Sequence, residues 1–272
     1  MSRSLFVFSV MVLILLGCDH EPEGGPLEWR LLWQDEFDGA AGQLPDPSRW
    51  TFDVGGDGWG NDQLEFDTDR PENVTMDGAG HLAITARKES YGGNDYTSGR
   101  ITTSGHFARK YGRFEARIRL PVGQGIWPAF WLLGADFEAI GWPTCGEIDI
   151  MENRGQEPSI VTGAIHGPGY SGGGALGGRF TLDGAEFYTD FHVFGVEWDE
   201  DGIIWTVDGE AYMMLEPGDL PAGSRWVFDH PFFIILNVAV GGNYVGPPNA
   251  ATSFPQTMLV DWVRVYGYGA GS

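Results

Sequence analysis

Residues 232–240 read Phe-Phe-Ile-Ile-Leu-Asn-Val-Ala-Val, and this run decides the class of fold. Its only polar residue is the asparagine at position 237. Side chains alternate between the two faces of a strand, so a run of this kind predicts a strand that protein covers on both faces. Such a strand belongs in the middle of a layered β-structure.

The segments around this run predict further strands joined by tight turns. Residues 114–120 alternate strictly between apolar and charged side chains, and residues 258–266 alternate again. Residues 204–213 predict a hairpin, because Asp208-Gly209 supplies the positive φ angles of a type I′ turn. The chain has 42 Gly, 16 Pro and no long amphipathic helix pattern, so we expect a β-sandwich or a β-barrel. The Gly-rich residues 171–178 are predicted to form a flexible loop at the rim of a cleft.

Residues 1–18 are predicted to be a targeting segment outside the fold. Arg3 precedes the apolar run 5–16, which is too short to span a membrane as a typical helix and is typical of a signal peptide. Gly17 directly before Cys18 resembles the lipobox of bacterial lipoproteins. That resemblance implies cleavage before Cys18, acylation of its thiol and an extracytoplasmic, membrane-anchored protein. The alternative is an ordinary secretory peptide and a secreted protein.

The rest of the chain is predicted to be a tether, residues 19–27, and one domain, residues 28–268. A single all-β domain commonly reaches this length. Cys145 is the one cysteine besides Cys18, so acylation of Cys18 would leave no intrachain disulfide. The domain must then be stabilised by burial, which its length and 42% hydrophobic residues allow.

The charge of the chain restricts its partners. A formal net charge of −22 repels nucleic acids and anionic membrane surfaces, and it disfavours sulfated or uronate polysaccharides. Neutral sugars remain compatible. The 11 Trp among 14% aromatic residues suit a glycan groove, because indole faces stack on sugars, although packing in the core is the alternative for many of them. No pattern indicates oligomerisation, so we expect a monomer.

Residues 146–153, Gly-Glu-Ile-Asp-Ile-Met-Glu-Asn, carry the candidate chemistry. Glu147 and Asp149 share one face of a strand, and the two isoleucines share the other. Strict alternation would bury Glu152 among the isoleucines, which is expensive for an unpaired carboxylate. A β-bulge near the Ile150-Met151 step would return Glu152 to the acidic face.

Three carboxyls on one face would raise the pKa of at least one of them, since like charges disfavour ionisation. An ionised carboxylate beside a protonated carboxyl is the pair that glycoside hydrolysis requires. The alternative from the residues alone is a solvated acidic strand face, which is common on protein surfaces.

The order of motifs resembles glycoside hydrolase family 16, and within it the bacterial endo-β-1,3-glucanases, or laminarinases. The family's Glu-x-Asp-x-x-Glu form is present as Glu147, Asp149 and Glu152. Similar segments cover most of the chain after the tether: 33–39, 60–65, 96–101, 127–133, 142–147, 166–170, 191–192, 197–198, 236–242 and 260–265.

The resemblance implies a β-jelly-roll sandwich of two antiparallel sheets with an open concave cleft. It implies a retaining mechanism in which Glu147 is the nucleophile, Glu152 is the acid/base and Asp149 orients Glu147. The two carboxyls of a retaining pair lie about 5–5.5 Å apart, whereas residues five apart on a flat strand span roughly 16 Å. The predicted bulge must therefore bend the strand.

The resemblance also implies binding residues, and no cofactor for catalysis. Those predicted to contact a neutral β-glucan are Asn61, Arg100, Trp127, Trp131, Trp142 and His166. One structural Ca²⁺ on the convex face is implied, with ligands from Glu36, Asp261 and the carbonyl of Gly80, because hard oxygen ligands suit Ca²⁺. The alternative is that these are ordinary surface acids. Two other functions stay open: a mixed-linkage β-1,3-1,4-glucanase and a non-catalytic glucan-binding module of the same fold.

Overall fold

The computed structural model describes residues 27–270, with the side chains of residues 28–268. Strands account for most of its regular structure. Their bounds are β1 (Leu27–Asp35), β2 (Thr51–Phe52), β3 (Glu65–Asp67), β4 (Val74–Met76), β5 (Leu82–Ala86), β6 (Tyr96–Ser98), β7 (Arg100–Thr102), β8 (Gly112–Arg119), β9 (Ile126–Gly134), β10 (Glu147–Asn153), β11 (Ile160–His166), β12 (Leu176–Thr181), β13 (His192–Trp198), β14 (Ile203–Val207), β15 (Glu210–Leu215), β16 (Phe232–Val240) and β17 (Gln256–Ala270).

The strands form two antiparallel sheets and one small parallel pair. The first sheet has the order β15-β14-β13-β8-β17-β5-β4, with β1 also paired to β17. The second has the order β12-β11-β10-β9-β16-β7-β2, and β3 pairs with β6 in parallel. Strands that are distant in sequence lie side by side, as β9 does with β16. This is the predicted jelly-roll sandwich, and the prediction of its class is confirmed.

The core lies between the two large sheets and follows the alternation seen in the sequence. On β8, Phe114, Ala116 and Ile118 are fully buried, and all nine residues of β16 are buried. Side chains from both sheets join one apolar cluster, for example Phe194 of β13 and Phe130 of β9. Because β16 is covered on both faces, its outer side chains form part of a second surface, which carries the functional site.

The predicted hairpin is present between β14 and β15. Val207 pairs with Glu210, and the two turn residues Asp208 and Gly209 have φ values of 51° and 80°. Both positive angles match the type I′ turn that the Asp-Gly sequence predicts. Within the described residues the only α-helix is α1 (Phe137–Ile140). No helix in that part of the chain is both long and apolar enough to cross a membrane.

Three predicted boundaries differ from those of the structure, and one predicted segment lies outside the described residues. β1 begins at Leu27, the last residue of the predicted tether, and β17 continues to Ala270, two residues beyond the predicted domain end. The predicted loop 171–178 is too long, since β12 begins at Leu176 and pairs with β11. A Cβ on Gly177 would lie 2.4 Å from the carbonyl oxygen of Gly163, so glycine there permits close pairing of the strands. The predicted targeting segment and Cys18 lie outside the described residues.

Candidate active site

The acidic motif lies on β10, which carries a bulge. Against β11, Asp149 pairs with Ala164 and Glu152 pairs with Thr162, so the bulged strand gains one residue over its partner. Against β9, the register shifts between Asp149 and Met151. The β-bulge that we predicted from the cost of burying Glu152 is therefore present, and it lies at the predicted place.

The bulge divides the side chains of β10 between two environments. Ile148, Ile150 and Met151 are buried in the core between the sheets. Glu152 lies on the outer face, where its Oε1 accepts a hydrogen bond of 3.0 Å from the indole nitrogen of Trp127. We call this outer face of the second sheet the cleft face. It carries Glu147, Asp149 and Glu152 together with outward side chains of β7, β9, β11 and β16.

Glu147 is held from two sides. The indole nitrogen of Trp142 donates a hydrogen bond of 2.9 Å to its Oε2, and the Nε2 of His166 lies 3.7 Å from its Oε1. His166 is the cross-strand neighbour of Glu147 on β11. Both contacts favour the ionised carboxylate, which is the form that a nucleophile needs.

His166 also lies close to Asp149. Its Nδ1 accepts a hydrogen bond of 3.0 Å from the backbone nitrogen of Gly172, so in the neutral ring the proton lies on Nε2. That Nε2 is 3.0 Å from Asp149 Oδ2, and Asp149 in turn makes a hydrogen bond with Glu147. His166 is thus a positioning group for the acidic strand, a role beyond the sugar contact that the sequence predicted.

The carboxyls of this strand resist ionisation. Burial, followed by repulsion from Asp149, raises the pKa of Glu147 to about 8. Burial likewise raises the pKa of Asp149 to about 7. The pKa of Glu152 is raised well above its ordinary value by burial and then by two neighbouring carboxylates, Asp149 and Glu147. The cluster therefore retains protons at neutral pH, as predicted, although burial raises these pKa values more than the like-charge repulsion on which the prediction rested.

The contacts of the two glutamates indicate which of them keeps its proton for the reaction. Glu152 faces both other acids, whereas Glu147 has Trp142 and the nearby His166 to stabilise its charge. Ionisation at 147 with the proton kept at 152 gives the complementary pair of glycoside hydrolysis. Because Oε1 of Glu152 accepts from Trp127, the proton belongs on Oε2.

Beside the acids, Arg100 and Trp131 form a platform on the cleft face. The Arg100 guanidinium lies 4.9 Å from the ring centroid of Trp131 and 4.5 Å from that of Trp59. Its Nε donates a hydrogen bond of 2.9 Å to Asp53, and Trp131 donates one of 2.8 Å to Asn237. Flat rings and a fixed guanidinium in one row suit the binding of a sugar chain.

The structure brings together five of the six predicted binding residues in two groups. Trp127, Trp142 and His166 contact the acids, while Arg100 and Trp131 form the neighbouring platform. Asn61 is exposed and lies in the preceding loop, where its carbonyl accepts a hydrogen bond from the backbone nitrogen of Asn243. No contact of the Asn61 side chain connects it to the other five within the described residues.

Several residues of the site were missed by the sequence reasoning. Trp59 covers Arg100, Asn237 holds Trp131, and Tyr244 lies against Trp127 with ring centroids 5.1 Å apart. Asn237 did leave a signal, since it is the single polar residue of the β16 run. A polar side chain at such a position needs a partner, and this one is 6% exposed.

The residues predicted to bind calcium do not form a cation cage in this arrangement. Both carboxylate oxygens of Glu36 accept hydrogen bonds of 2.8 Å from Arg264, and Asp261 pairs with a different arginine, Arg117. Gly80 lies in a turn with φ of 91°. A cation at these carboxylates would have to displace two guanidinium groups.

One other set of side chains could hold a metal. Ligand atoms of Glu147, Asp149 and His166 lie within 4.8 Å of one another, which makes them the one such group of three His, Cys, Asp or Glu residues in the described part of the chain. They are the catalytic candidates themselves, and hydrolysis by paired carboxyls requires no metal.

Comparison with known proteins identifies the family. A sequence model of glycosyl hydrolases family 16 matches residues 60–264. The beta-glucanase of Rhodothermus marinus is 43% identical over 278 residues, which span 98% of this chain and 94% of that relative. Among solved structures, the laminarinase catalytic domain from Thermotoga maritima MSB8 is similar with a TM-score of 0.83 and 50% identity, over 88% of this chain and 98% of that one. The endo-beta-1,3-glucanase from Pyrococcus furiosus has a TM-score of 0.84 and 46% identity, over 89% and 96% of the two chains. The resemblance inferred from the motifs is confirmed, and the chain belongs to the glycosyl hydrolases of family 16.

Proposed function

We propose that the protein is a retaining endo-β-1,3-glucanase that cleaves neutral glucans such as laminarin. The observation that carries the proposal is the bulge of β10, which places Glu147 and Glu152 on one face, each with its own indole N–H donor. The names of the relatives, a beta-glucanase, a laminarinase and an endo-beta-1,3-glucanase, support the reaction and the linkage.

In the first half of the reaction, the Glu147 carboxylate attacks the anomeric carbon. The bond from that carbon to the glycosidic oxygen breaks, and the oxygen takes the proton from Glu152 Oε2. The products are a glycosyl ester on Glu147, an ionised Glu152 and a free sugar hydroxyl. The second carboxyl oxygen of Glu152 stays hydrogen-bonded to Trp127, so the side chain keeps its direction as its charge changes.

In the second half, a water molecule enters from the side that the leaving group has vacated, next to Glu152. Glu152 removes a proton from the water, whose oxygen attacks the anomeric carbon while the ester bond to Glu147 breaks. Two inversions at one carbon give net retention. Asp149 and His166 take no part in bond making. Asp149 holds the Glu147 carboxyl in position through the hydrogen bond between the two side chains, and His166 lies 3.0 Å from Asp149 on its other side.

The presence of all three acids argues against a purely binding function. A glucan-binding module needs aromatic platforms but has no use for a buried acid trio, whose ionisation is costly. Here Asp149 is 4% exposed and the other two acids are partly buried at the same face. A catalytic function accounts for the three buried acids, whereas a binding function does not.

Product analysis tests the proposal. We expect laminarin and curdlan to be cleaved into oligosaccharides, with agarose untouched, and NMR of the first products to show the β-anomer before mutarotation. Lichenan tests the mixed-linkage alternative. If turnover on lichenan is comparable to turnover on laminarin, the enzyme is a β-1,3-1,4-glucanase and not a β-1,3-glucanase. An α-anomer formed first would overturn retention, and no hydrolysis of any glucan would overturn the function.

We propose that the protein is a membrane-anchored lipoprotein, monomeric in detergent. The support is the Gly17-Cys18 sequence after an apolar run. Detergent phase partitioning and mass spectrometry of the mature N-terminus test the anchor. Wild type should enter the detergent phase with acyl chains on Cys18, whereas Cys18→Ser should stay aqueous. An aqueous, unacylated wild type would support the secreted alternative.

A structural calcium ion stays a prediction from the resemblance, with the two arginine pairs as the competing arrangement. Melting in the presence of EDTA or of Ca²⁺ distinguishes them. A lower melting temperature in EDTA supports an ion bound by Glu36, Asp261 and the Gly80 carbonyl. An unchanged melting temperature in both solutions supports the arginine pairs.

A further inference from the structure

A small apolar group lies beside Glu152 on the cleft face, apart from the main core between the sheets. Its buried members are Trp127, Ala239 and Val245, and Tyr244 packs against them. Trp127 and Ala239 are cross-strand neighbours on β9 and β16, whereas Tyr244 and Val245 lie in the loop that follows β16. Because Trp127 packs in this group and not in the main core, these few side chains determine the orientation of its indole.

The loop that follows β16 is tied to two neighbouring strands of the sheet. The carbonyl oxygen of Val245 accepts hydrogen bonds of 2.8 Å from the side chain of Gln124 and of 3.0 Å from that of Gln156. Gln124 lies just before β9, and Gln156 lies just after β10. The two amides therefore fix the backbone next to Tyr244 relative to the strands that carry Trp127 and Glu152.

The Tyr244 side chain makes three further contacts. Its ring lies 5.1 Å from the ring of Trp127, centroid to centroid, with the two planes inclined at 45°. The Arg154 guanidinium lies 4.3 Å from the Tyr244 centroid, within the range of a cation–π interaction. The Tyr244 hydroxyl lies 2.8 Å from the hydroxyl of Thr162. Contacts on β9, directly after β10 and on β11 thus hold one aromatic ring in place.

Two of these contacts lead to Glu152. Thr162 pairs with Glu152 across β10 and β11, and its hydroxyl lies 3.5 Å from the Glu152 carbonyl oxygen. Burial, followed by the charge of Glu152, raises the pKa of Tyr244, so its hydroxyl keeps its proton and can donate it to Thr162. The second connection is the indole of Trp127, whose nitrogen donates the 3.0 Å hydrogen bond to Glu152 Oε1.

The hydrogen bond from Trp127 depends on the direction of its indole, since such bonds weaken steeply as the donor turns away from the acceptor. Within the described residues, Tyr244 is the one aromatic ring that packs against Trp127. The other members of the group, Ala239 and Val245, are small by comparison. Loss of the Tyr244 ring would therefore allow the indole to turn away from Glu152.

We propose that Tyr244 is a positioning residue for the acid/base: it holds the Trp127 indole in the direction that donates to Glu152 Oε1, which leaves Oε2 to carry the proton. The proposal rests on the function proposed above and adds a residue to its machinery. Tyr244 acts through Trp127 and takes no part in bond making.

The test compares the pH dependence of kcat/KM on laminarin in Tyr244→Ala, Trp127→Phe and the double variant. Loss of the indole hydrogen bond raises the pKa of Glu152, so each single variant should shift the alkaline limb upward by about 1–2 pH units, the scale of one hydrogen bond to a charged group. Because Tyr244 acts through Trp127, the double variant should shift no further than Trp127→Phe alone. In Tyr244→Ala, kcat should fall about 10-fold, with KM changed by no more than about twofold.

Two variants separate positioning from general packing. Tyr244→Phe keeps the ring against Trp127 and Arg154, so it should retain most of the wild-type kcat. Tyr91→Ala is the matched control, because the Tyr91 ring also lies beneath a guanidinium, that of Arg70 at 4.4 Å, and beside a second ring, that of Phe66 at 5.2 Å. This control should lower the melting temperature and leave the pH profile unchanged.

Three results would overturn the proposal: no shift of the alkaline limb in Tyr244→Ala, additive shifts in the double variant, or a raised KM with an unchanged pH profile. The last result would mean that Tyr244 contacts the glucan directly. A ¹³C NMR titration of the Glu152 carboxyl, assigned with Glu152→Gln, tests the same point without turnover. The pKa of Glu152 should rise in Tyr244→Ala and not in Tyr91→Ala, and an equal pKa in both would also overturn the proposal. A wild type that cleaves no β-glucan would instead overturn the proposed function, and the titration would still decide the role of Tyr244.

Discussion

The indole nitrogen of Trp205, on the first sheet, donates a hydrogen bond of 2.8 Å to the backbone carbonyl of Asp149, on the second sheet. This bond crosses the core at the point where the bulge of β10 begins. A bulge leaves backbone groups without their usual ladder partners, and a buried carbonyl without a donor is costly. Trp205 supplies that donor, so the opposite sheet stabilises the bend that brings Glu152 to the cleft face.

Gly163→Ala should disturb this bond. A Cβ at position 163 would lie 2.4 Å from Cδ1 and 2.5 Å from Nε1 of Trp205, so the fully buried indole would have to move. We expect a loss of about 1–3 kcal/mol in the free energy of unfolding, the range for an overpacked core, and a clear loss of kcat. Gly173→Ala is the control, because nothing lies within 4 Å of a Cβ there. Thermal melting and laminarin turnover measure both effects, and equal behaviour of the two variants would contradict the role of Trp205.

The fold was predictable where local patterns determine it. A few adjacent residues are enough to predict three of its elements: the apolar strand β16, the alternating strand β8 and the Asp-Gly hairpin. The bulge was predictable for a different reason, since a strict strand would have buried Glu152. What local patterns could not give is the indole that stabilises it, because Trp205 lies 56 positions away from Asp149.

The functional site likewise has residues that local motifs predict and residues that they do not. The acids and the tryptophans of residues 127–131 follow from motifs, whereas the partners that fix them come from segments that are distant in sequence. Trp59, Asp53 and Asn237 hold Arg100 and Trp131 through contacts that sequence spacing does not reveal. The calcium site stays a prediction, because the sequence supplies its carboxylates but does not reveal that Arg264 and Arg117 pair with them.

Glu147→Gly should abolish hydrolysis and respond to a small anion. Without the nucleophile, the first step fails, and we expect kcat on laminarin to fall by at least about 10³-fold. The space left by the side chain allows azide to attack the anomeric carbon from the side where the Glu147 carboxylate lies in the wild type. An α-glycosyl azide should therefore form from a substrate with a reactive leaving group. In Glu152→Gly, azide should instead attack the glycosyl ester and give the β-glycosyl azide. The same anomer from both variants would contradict the assignment of the two glutamates.

The two indole donors should control opposite limbs of the pH profile. Trp142→Phe removes the hydrogen bond that lowers the pKa of Glu147. Because Glu147 must be ionised, its higher pKa should shift the acid limb of kcat/KM to higher pH. Trp127→Phe removes the bond that lowers the pKa of Glu152, which must be protonated, so the alkaline limb should shift to higher pH. The carboxyls titrate together, and the measured values belong to the cluster. A shift of the same limb in both variants would contradict the division of roles.

Behind the platform, Glu65 and Asp67 form a second acidic pair that no proposed step uses. They are 0% and 1% exposed, and Glu65 Oε2 accepts a hydrogen bond of 2.7 Å from the backbone nitrogen of Val240. Burial raises the pKa of Glu65 to about 7, and burial with repulsion from Glu65 raises the pKa of Asp67 well above its ordinary value. The folded protein therefore binds more protons here than the unfolded chain does.

Glu65→Gln should therefore stabilise the protein at high pH. A carboxyl whose folded pKa exceeds its unfolded pKa lowers stability as the pH rises from the unfolded value, near 4.5, through the folded value of about 7. Glutamine keeps the acceptor for Val240 and has no charge to bury, so the melting temperature should rise at pH 8 and change little at pH 4.5. The expected gain at pH 8 is on the order of 2–3 kcal/mol. Glu138→Gln, an exposed change of the same charge, should show no such dependence. A melting temperature lowered at pH 8 would mean that the ionised Glu65 is stabilised in the fold, with Arg100 as its partner.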